Sequence, residues 1–138
     1  MKIYRPASII LMLIFAVTGL LFLAIPDQVL NLFNNLSGNF RMPEAPLTGF
    51  NFYLILAVGY MYLVTLLAFL MFRHPENKYF PQLLAHAKIT SSLLSLGLFI
   101  FHAHYLIYLS NFIIDGIIGA GVIVLYVKIR RKSLWALH

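Results

Sequence analysis

Five histidine, lysine and aspartate side chains lie within apolar stretches of this sequence, where a charge is costly and often marks a functional site. They are His86, Lys88, His102, His104 and Asp115. An imidazole beside a carboxylate can hold and pass a proton, because the carboxylate orients the ring and stabilises its charged form. We therefore treat His102, His104 and Asp115 as a candidate proton-handling or ligand site. The alternative is that Asp115 only anchors its helix through the helix dipole.

A second candidate site begins at Lys88. Ser92 and Ser95 follow it at helical spacing, and His86 lies nearby in the sequence. Such a polar stripe could line a crevice between helices that holds an anionic headgroup. The alternative is that Lys88 extends to phosphates at the membrane surface while the serines bond their own backbone carbonyls and allow close helix packing.

Metal and haem sites are disfavoured by the residue types and their spacing. The chain has no cysteine, and the two histidines of His102-Ala103-His104 point about 200° apart on a helix. All the histidines within apolar stretches lie on one predicted helix, so haem b is expected only if a second ligand comes from a partner chain. No metal and no other cofactor are expected. Because no catalytic constellation is complete, a non-catalytic protein is favoured over an enzyme.

The elements that must position these residues are membrane-spanning helices. Of the 138 residues, 62% are hydrophobic and 10% are charged, which is too apolar for a typical soluble domain. Four apolar runs, at about 7–25, 50–72, 83–109 and 112–127, each approach the length that spans a membrane. The sequence therefore predicts a single all-α transmembrane domain over residues 1–138, an antiparallel bundle of four helices. Residues 26–40 are amphipathic and predict a short interfacial helix that begins at Pro26.

The dipeptide Ser110-Asn111 predicts a tight turn between the third and fourth spans. In an antiparallel hairpin with that turn, residues whose numbers sum to about 219 lie at equal depth, which places His104 level with Asp115. The fourth span also carries the small residues Gly116, Gly119 and Ala120. Small residues let helices approach closely, either within one chain or between chains.

The distribution of basic residues predicts the orientation. Eight of the ten lysines and arginines fall at one predicted face of the bundle, against Arg41 alone at the other. Positive residues favour the cytoplasm, so both termini are predicted to be cytoplasmic and the protein to lie in the inner (plasma) membrane. The net charge of +6 is thereby explained without a nucleic-acid partner. The eight residues are Lys2, Arg5, Arg73, Lys78, Lys128, Arg130, Arg131 and Lys132.

The four-span plan with a proline directly after the first helix resembles that of DoxX-like small bacterial membrane proteins, although no motif assigns a residue to that family. Small multidrug transporters have a similar length, but they depend on an acidic residue in the first span, and here that span has none. The sequence favours a non-catalytic accessory or scaffold subunit of a larger membrane assembly. The alternatives are a quinone- or haem-associated redox or proton-handling subunit, and a binder of lipid or a small apolar ligand. The expected partners are the lipid bilayer and other membrane subunits or copies of the chain.

Overall fold

A computed structural model describes the backbone of residues 3–47 and 51–135. These residues form five helices and no strand: α1 (Tyr4–Ala24), α2 (Pro26–Asn39), α3 (Asn51–Arg73), α4 (Tyr79–Phe101) and α5 (Leu106–Trp135). The all-helical fold with four long apolar helices is confirmed, as is the short helix between the first and second spans. The predicted start of the second span, residue 50, lies outside the described residues.

Four helices are long and apolar enough to cross a membrane. They are α1, α3 from Tyr53, α4, and α5 as far as Lys128, each 21 to 23 residues long. At 1.5 Å per residue such helices extend about 32–35 Å, which covers a hydrocarbon core about 30 Å thick. Large apolar side chains are exposed along all four, as lipid-facing surfaces require. The chain is a multi-pass membrane protein.

The helix α2 and the connector after it close one end of the bundle. α2 begins at Pro26, directly after the break at Ile25, and contacts both α1 and α5. The buried Asn34 side chain donates to the backbone oxygen of Ala45 over 2.9 Å and accepts from its backbone nitrogen over 2.8 Å.

We call the half of the bundle next to α2 the α2-side half. The other half, where the chain begins and α5 ends, is the termini-side half.

The four spans are arranged as two helix pairs. α1 packs along α3, and α4 packs along α5, while contacts between α3 and α4 join the pairs. Close approach within the first pair depends on Gly19, where a Cβ atom would lie 3.0 Å from the Met61 Cβ. The second pair is an antiparallel hairpin that carries most of the polar contacts between helices.

The buried apolar core lies in the termini-side half of the spans and extends no further than the level of Phe15, which belongs to it. Its members come from all four spans: Tyr4, Phe15, Val64, Leu67, Ala68, Met71, Leu84, Ala85 and Val122. In the α2-side half, the span residues described as buried are small or polar, namely Gly19, Ser92 and Ser95. A Cβ atom at Gly59 or Gly97, both in that half, would meet nothing within 4 Å. The two helix pairs therefore share a packed core on one side only.

The turn between the last two spans lies earlier than predicted. α4 ends at Phe101, residues 102–105 connect, and α5 begins at Leu106, so the predicted turn at Ser110-Asn111 is wrong. The backbone nitrogens of His102 and Ala103 both donate to the Leu98 oxygen and end α4. Asn111 instead lies inside α5, where the amide of its side chain bonds serines of α4. The residues at equal depth therefore sum to about 203, as for Lys88 and Asp115, and not to 219.

Candidate functional site

Lys88 and Asp115 form an ion pair inside the bundle. The Lys88 Nζ lies 2.8 Å from the Asp115 Oδ1, and the two side chains are 1% and 5% exposed. Each residue lies nine positions after the start of its helix, at Tyr79 for α4 and Leu106 for α5. Because the helices are antiparallel, a depth of about 14 Å from each start places the pair near the middle of the hydrocarbon core.

Two aromatic rings lie beside the ammonium group. The Lys88 Nζ lies 4.5 Å from the centre of the Phe15 ring and 5.0 Å from that of Tyr60. The Tyr60 hydroxyl donates to the backbone oxygen of Ala87 over 3.1 Å, which fixes the ring beside Lys88. Ring faces attract cations, most strongly where water is excluded. All four spans thus contribute a side chain to this site: Phe15, Tyr60, Lys88 and Asp115.

The ion pair leaves part of its hydrogen-bonding capacity unused. The Asp115 Oδ2 is buried and has no hydrogen-bond partner, a condition shared among the described side chains only by the Tyr4 hydroxyl. An ammonium group has three N–H donors, and Lys88 donates one of them to the Asp115 Oδ1. A buried carboxylate oxygen without a donor is costly, so Oδ2 is a strong potential acceptor.

A row of polar side chains extends from the ion pair toward the α2-side end. The Ser92 hydroxyl donates to the backbone oxygen of Phe112 over 2.8 Å. The Asn111 amide donates to the hydroxyls of Ser91, over 3.2 Å, and Ser95, over 2.6 Å. Ser92 therefore donates across to α5 and not to its own helix, while Ser91 and Ser95 accept hydrogen bonds from α5. The row ends at Ser95, six residues or about 9 Å before the end of α4.

The small residues of α5 bring the two charged helices together. A Cβ atom at Gly119 would lie 2.9 Å from the Ile89 Cγ1 and 3.5 Å from the Lys88 Cβ, and one at Gly116 would lie 3.1 Å from the Ser92 Oγ. Both glycines therefore face α4 of the same chain. Ala120, predicted with them as a packing residue, is exposed.

The structure does not bring the predicted histidines to Asp115. His102 is the exposed residue that follows α4, and the exposed His104 packs its ring edge-on against Phe99 with 5.0 Å between ring centres. The prediction that a histidine pairs with Asp115 is wrong because it rested on the misplaced turn. His86 is also exposed, with its Nδ1 2.9 Å from the Gln82 backbone oxygen.

The structure brings together three of the four residues of the second predicted set. Lys88, Ser92 and Ser95 do share the face of α4 that meets α5, without His86. Lys88 does not extend to the membrane surface, since it is fully buried. Asp115, assigned from the sequence to the other candidate site, is its partner.

No group of three histidine, aspartate or glutamate side chains within the described residues could hold a metal ion. Comparisons with protein-family models, with curated proteins and with solved structures find no match to this chain. The geometry around Lys88 and Asp115 is therefore the basis on which a function can be argued.

Proposed function

We propose that this chain binds a small amphiphile between its two helix pairs, in the α2-side half of the bundle. The observation that supports the proposal is that the shared apolar core ends at the level of Lys88 and Asp115. Apolar side chains without packing partners lose dispersion energy, and the acyl chain of an amphiphile would supply the missing contacts. The ion pair then forms the floor of the binding region.

The ion pair is better explained by a binding role than by stability alone. Taking two charges out of water costs several kcal/mol, and replacing a buried pair with apolar residues is often neutral or stabilising. Ionisable groups within a membrane mark binding sites or pathways by default. The unused capacity of the Asp115 Oδ2 gives this pair something to bind with.

Two rival functions remain predictions. An accessory or scaffold subunit would need an association surface, but the glycines that suggested one, Gly116 and Gly119, face α4 of the same chain. A redox or proton-handling subunit would use the histidines near the α2-side end, which lie apart from Asp115.

Purification from native membranes separates the three functions. A retained amphiphile supports our proposal, co-purifying subunits support the scaffold, and a Soret band or a bound quinone supports the redox subunit.

Photo-crosslinking tests the location of the amphiphile. Phe99, eleven residues after Lys88, lies about 20° from it around α4, and Phe80, eight residues before it, lies about 80° from it; both are half-buried. Phe80 packs against the apolar core and Phe99 lies in the α2-side half. A benzophenone side chain at position 99 should crosslink lipid, and the same group at position 80 should crosslink only the protein itself. Crosslinking of lipid from both positions or from neither would contradict the proposal.

We further propose that the protein lies in the inner (plasma) membrane with both termini cytoplasmic, on the support of the basic residues described above. Lys2 lies outside the described residues. Asn39 ends α2, and Asn77 lies in the loop between α3 and α4. Because the chain has no cysteine, Asn39→Cys and Asn77→Cys each introduce a single label site. We expect labelling of Asn39→Cys from outside and of Asn77→Cys only from the cytoplasm. Labelling of both from one side would overturn this topology.

A further inference from the structure

We infer that the bound amphiphile carries a zwitterionic headgroup with a primary ammonium and an anionic oxygen, of the phosphoethanolamine type, held by Lys88 and Asp115. This inference rests on the proposed function and adds the chemistry of the ligand to it. Three features of the site support it: the unused hydrogen-bonding capacity, the net charge of the pair and the positions of the two aromatic rings.

The unused capacity matches both ends of such a headgroup. The Asp115 Oδ2 can accept an N–H from the ammonium of the ligand, since it is buried without a partner. The N–H groups of Lys88 that do not bond Asp115 can donate to an anionic oxygen of the ligand. Both contacts are charge-assisted hydrogen bonds, and neither requires the 2.8 Å bond between Lys88 and Asp115 to break.

The net charge of the site favours a ligand that is neutral overall. Lys88 and Asp115 together carry no net charge, because each is paired with the other. An anionic or cationic ligand would leave an uncompensated charge at mid-depth in the hydrocarbon, which is costly. A zwitterion adds one charge of each sign, and each meets its opposite in the pair.

The aromatic rings decide between a primary and a quaternary ammonium. A trimethylammonium group has no N–H for the Asp115 Oδ2 and is held in proteins mainly by aromatic faces. Here the faces of Phe15 and Tyr60 already hold the Lys88 ammonium, at 4.5 and 5.0 Å. The open acceptor is therefore a carboxylate oxygen, which favours ethanolamine over choline.

The test compares headgroups on the unmodified protein. Phosphatidylethanolamine, its monomethyl and dimethyl forms and phosphatidylcholine, all with the same acyl chains, are supplied in equal amounts in mixed micelles. Native mass spectrometry then counts the lipid that each chain retains. We expect phosphatidylethanolamine to be retained about tenfold over phosphatidylcholine, as the loss of one charge-assisted hydrogen bond predicts, with the two intermediates between them. Equal retention, or a preference for phosphatidylcholine, would overturn the inference.

Variants assign the selectivity to the ion pair. Asp115→Asn should reduce the preference to within about twofold, because the amide lacks the charge that strengthens the hydrogen bond. His86→Gln is the matched control, since His86 is an exposed titratable residue on the same helix as Lys88, and it should keep the full preference. If Asp115→Asn does not fold, the methylation series on the unmodified protein decides the question alone. A preference that persists in folded Asp115→Asn would contradict the assignment.

Free O-phosphoethanolamine, added to the protein in phosphatidylethanolamine micelles, separates a lipid from a soluble ligand. If it leaves the lipid bound, the ligand is a lipid headgroup; if it displaces the lipid, the same zwitterion chemistry is met by a soluble molecule. An amphiphile retained without headgroup preference overturns this inference and leaves the proposed function standing. Retention of no amphiphile overturns both.

Discussion

Removing one member of the buried ion pair should destabilise the protein far more than removing both. Lys88→Met leaves the Asp115 carboxylate buried with neither oxygen bonded to a donor, and both side chains are at most 5% exposed. Breaking a pair buried to this degree costs about 3–5 kcal/mol, to which the lost contacts with the Phe15 and Tyr60 rings add. We therefore expect Lys88→Met to lower the free energy of unfolding by about 4 kcal/mol.

The double variant Lys88→Met with Asp115→Leu should restore most of that loss. It removes the uncompensated charge, and apolar replacements of a buried pair are often neutral, so we expect a stability within about 1 kcal/mol of the native chain. The assay is reversible unfolding in mixed micelles, with helical content followed as the denaturing detergent fraction rises. Lys78→Met, at the exposed residue before α4, is the control and should change the free energy of unfolding by no more than about 0.5 kcal/mol.

A four-variant cycle then gives the coupling between Lys88 and Asp115 directly. The structure predicts a coupling of about 3 kcal/mol or more. If Lys88→Met cost less than about 1 kcal/mol, or if the losses from the two single variants simply added in the double variant, the charges would not be paired inside the bundle. Either result would refute the arrangement on which the binding proposal depends.

Three further predictions follow from contacts elsewhere in the bundle. Gly119→Ala should cost about 1–3 kcal/mol in the same unfolding assay, because its Cβ would lie 2.9 Å from Ile89, whereas Gly121→Ala, which meets nothing within 4 Å, should be neutral. Asp115→Asn and His104→Gln should be additive within about 0.5 kcal/mol, since the two side chains share no partner; a larger coupling would restore the histidine site. Asn34→Ala should cost about 1–3 kcal/mol and speed proteolysis of the connector after α2, because two buried hydrogen bonds to the backbone of Ala45 are lost; unchanged proteolysis would contradict this role.

The sequence predicted the helices well because their signals are local. Each apolar run approaches the length that a membrane imposes, and Pro26 marks the start of α2 through the fixed angle of its ring. The antiparallel pairing of the last two spans also followed from the sequence. The depth of Asp115 did not, because that depends on which residues form the connection between the helices.

The predicted turn at Ser110-Asn111 was wrong because contacts with residues distant in the sequence outweigh the local preference of these two residues. Ser110 and Asn111 favour turns when their side chains must bond nearby backbone groups. In the folded chain, Asn111 bonds Ser91 and Ser95, sixteen to twenty residues away, and so remains helical. The contributions of Phe15 and Tyr60 were missed for a related reason, since an aromatic residue in an apolar run resembles ordinary lipid-facing or core material. The sequence did contain one signal. Lys88 and Asp115 are the only lysine and the only aspartate within the predicted apolar runs, and each buried charge requires an opposite charge nearby.

The ion pair also constrains how the chain enters the membrane. α4 and α5 each carry one buried charge, and a lysine or aspartate at the centre of a helix inserted alone opposes insertion by about 2.5–3.5 kcal/mol. The connection of residues 102–105 is too short for the helices to insert far apart in space or time. The two helices are therefore expected to cross as one hairpin, with their charges already neutralising each other. A chain that stops after α4 would expose Lys88 to lipid, and its α4 would therefore insert less favourably than in the full chain.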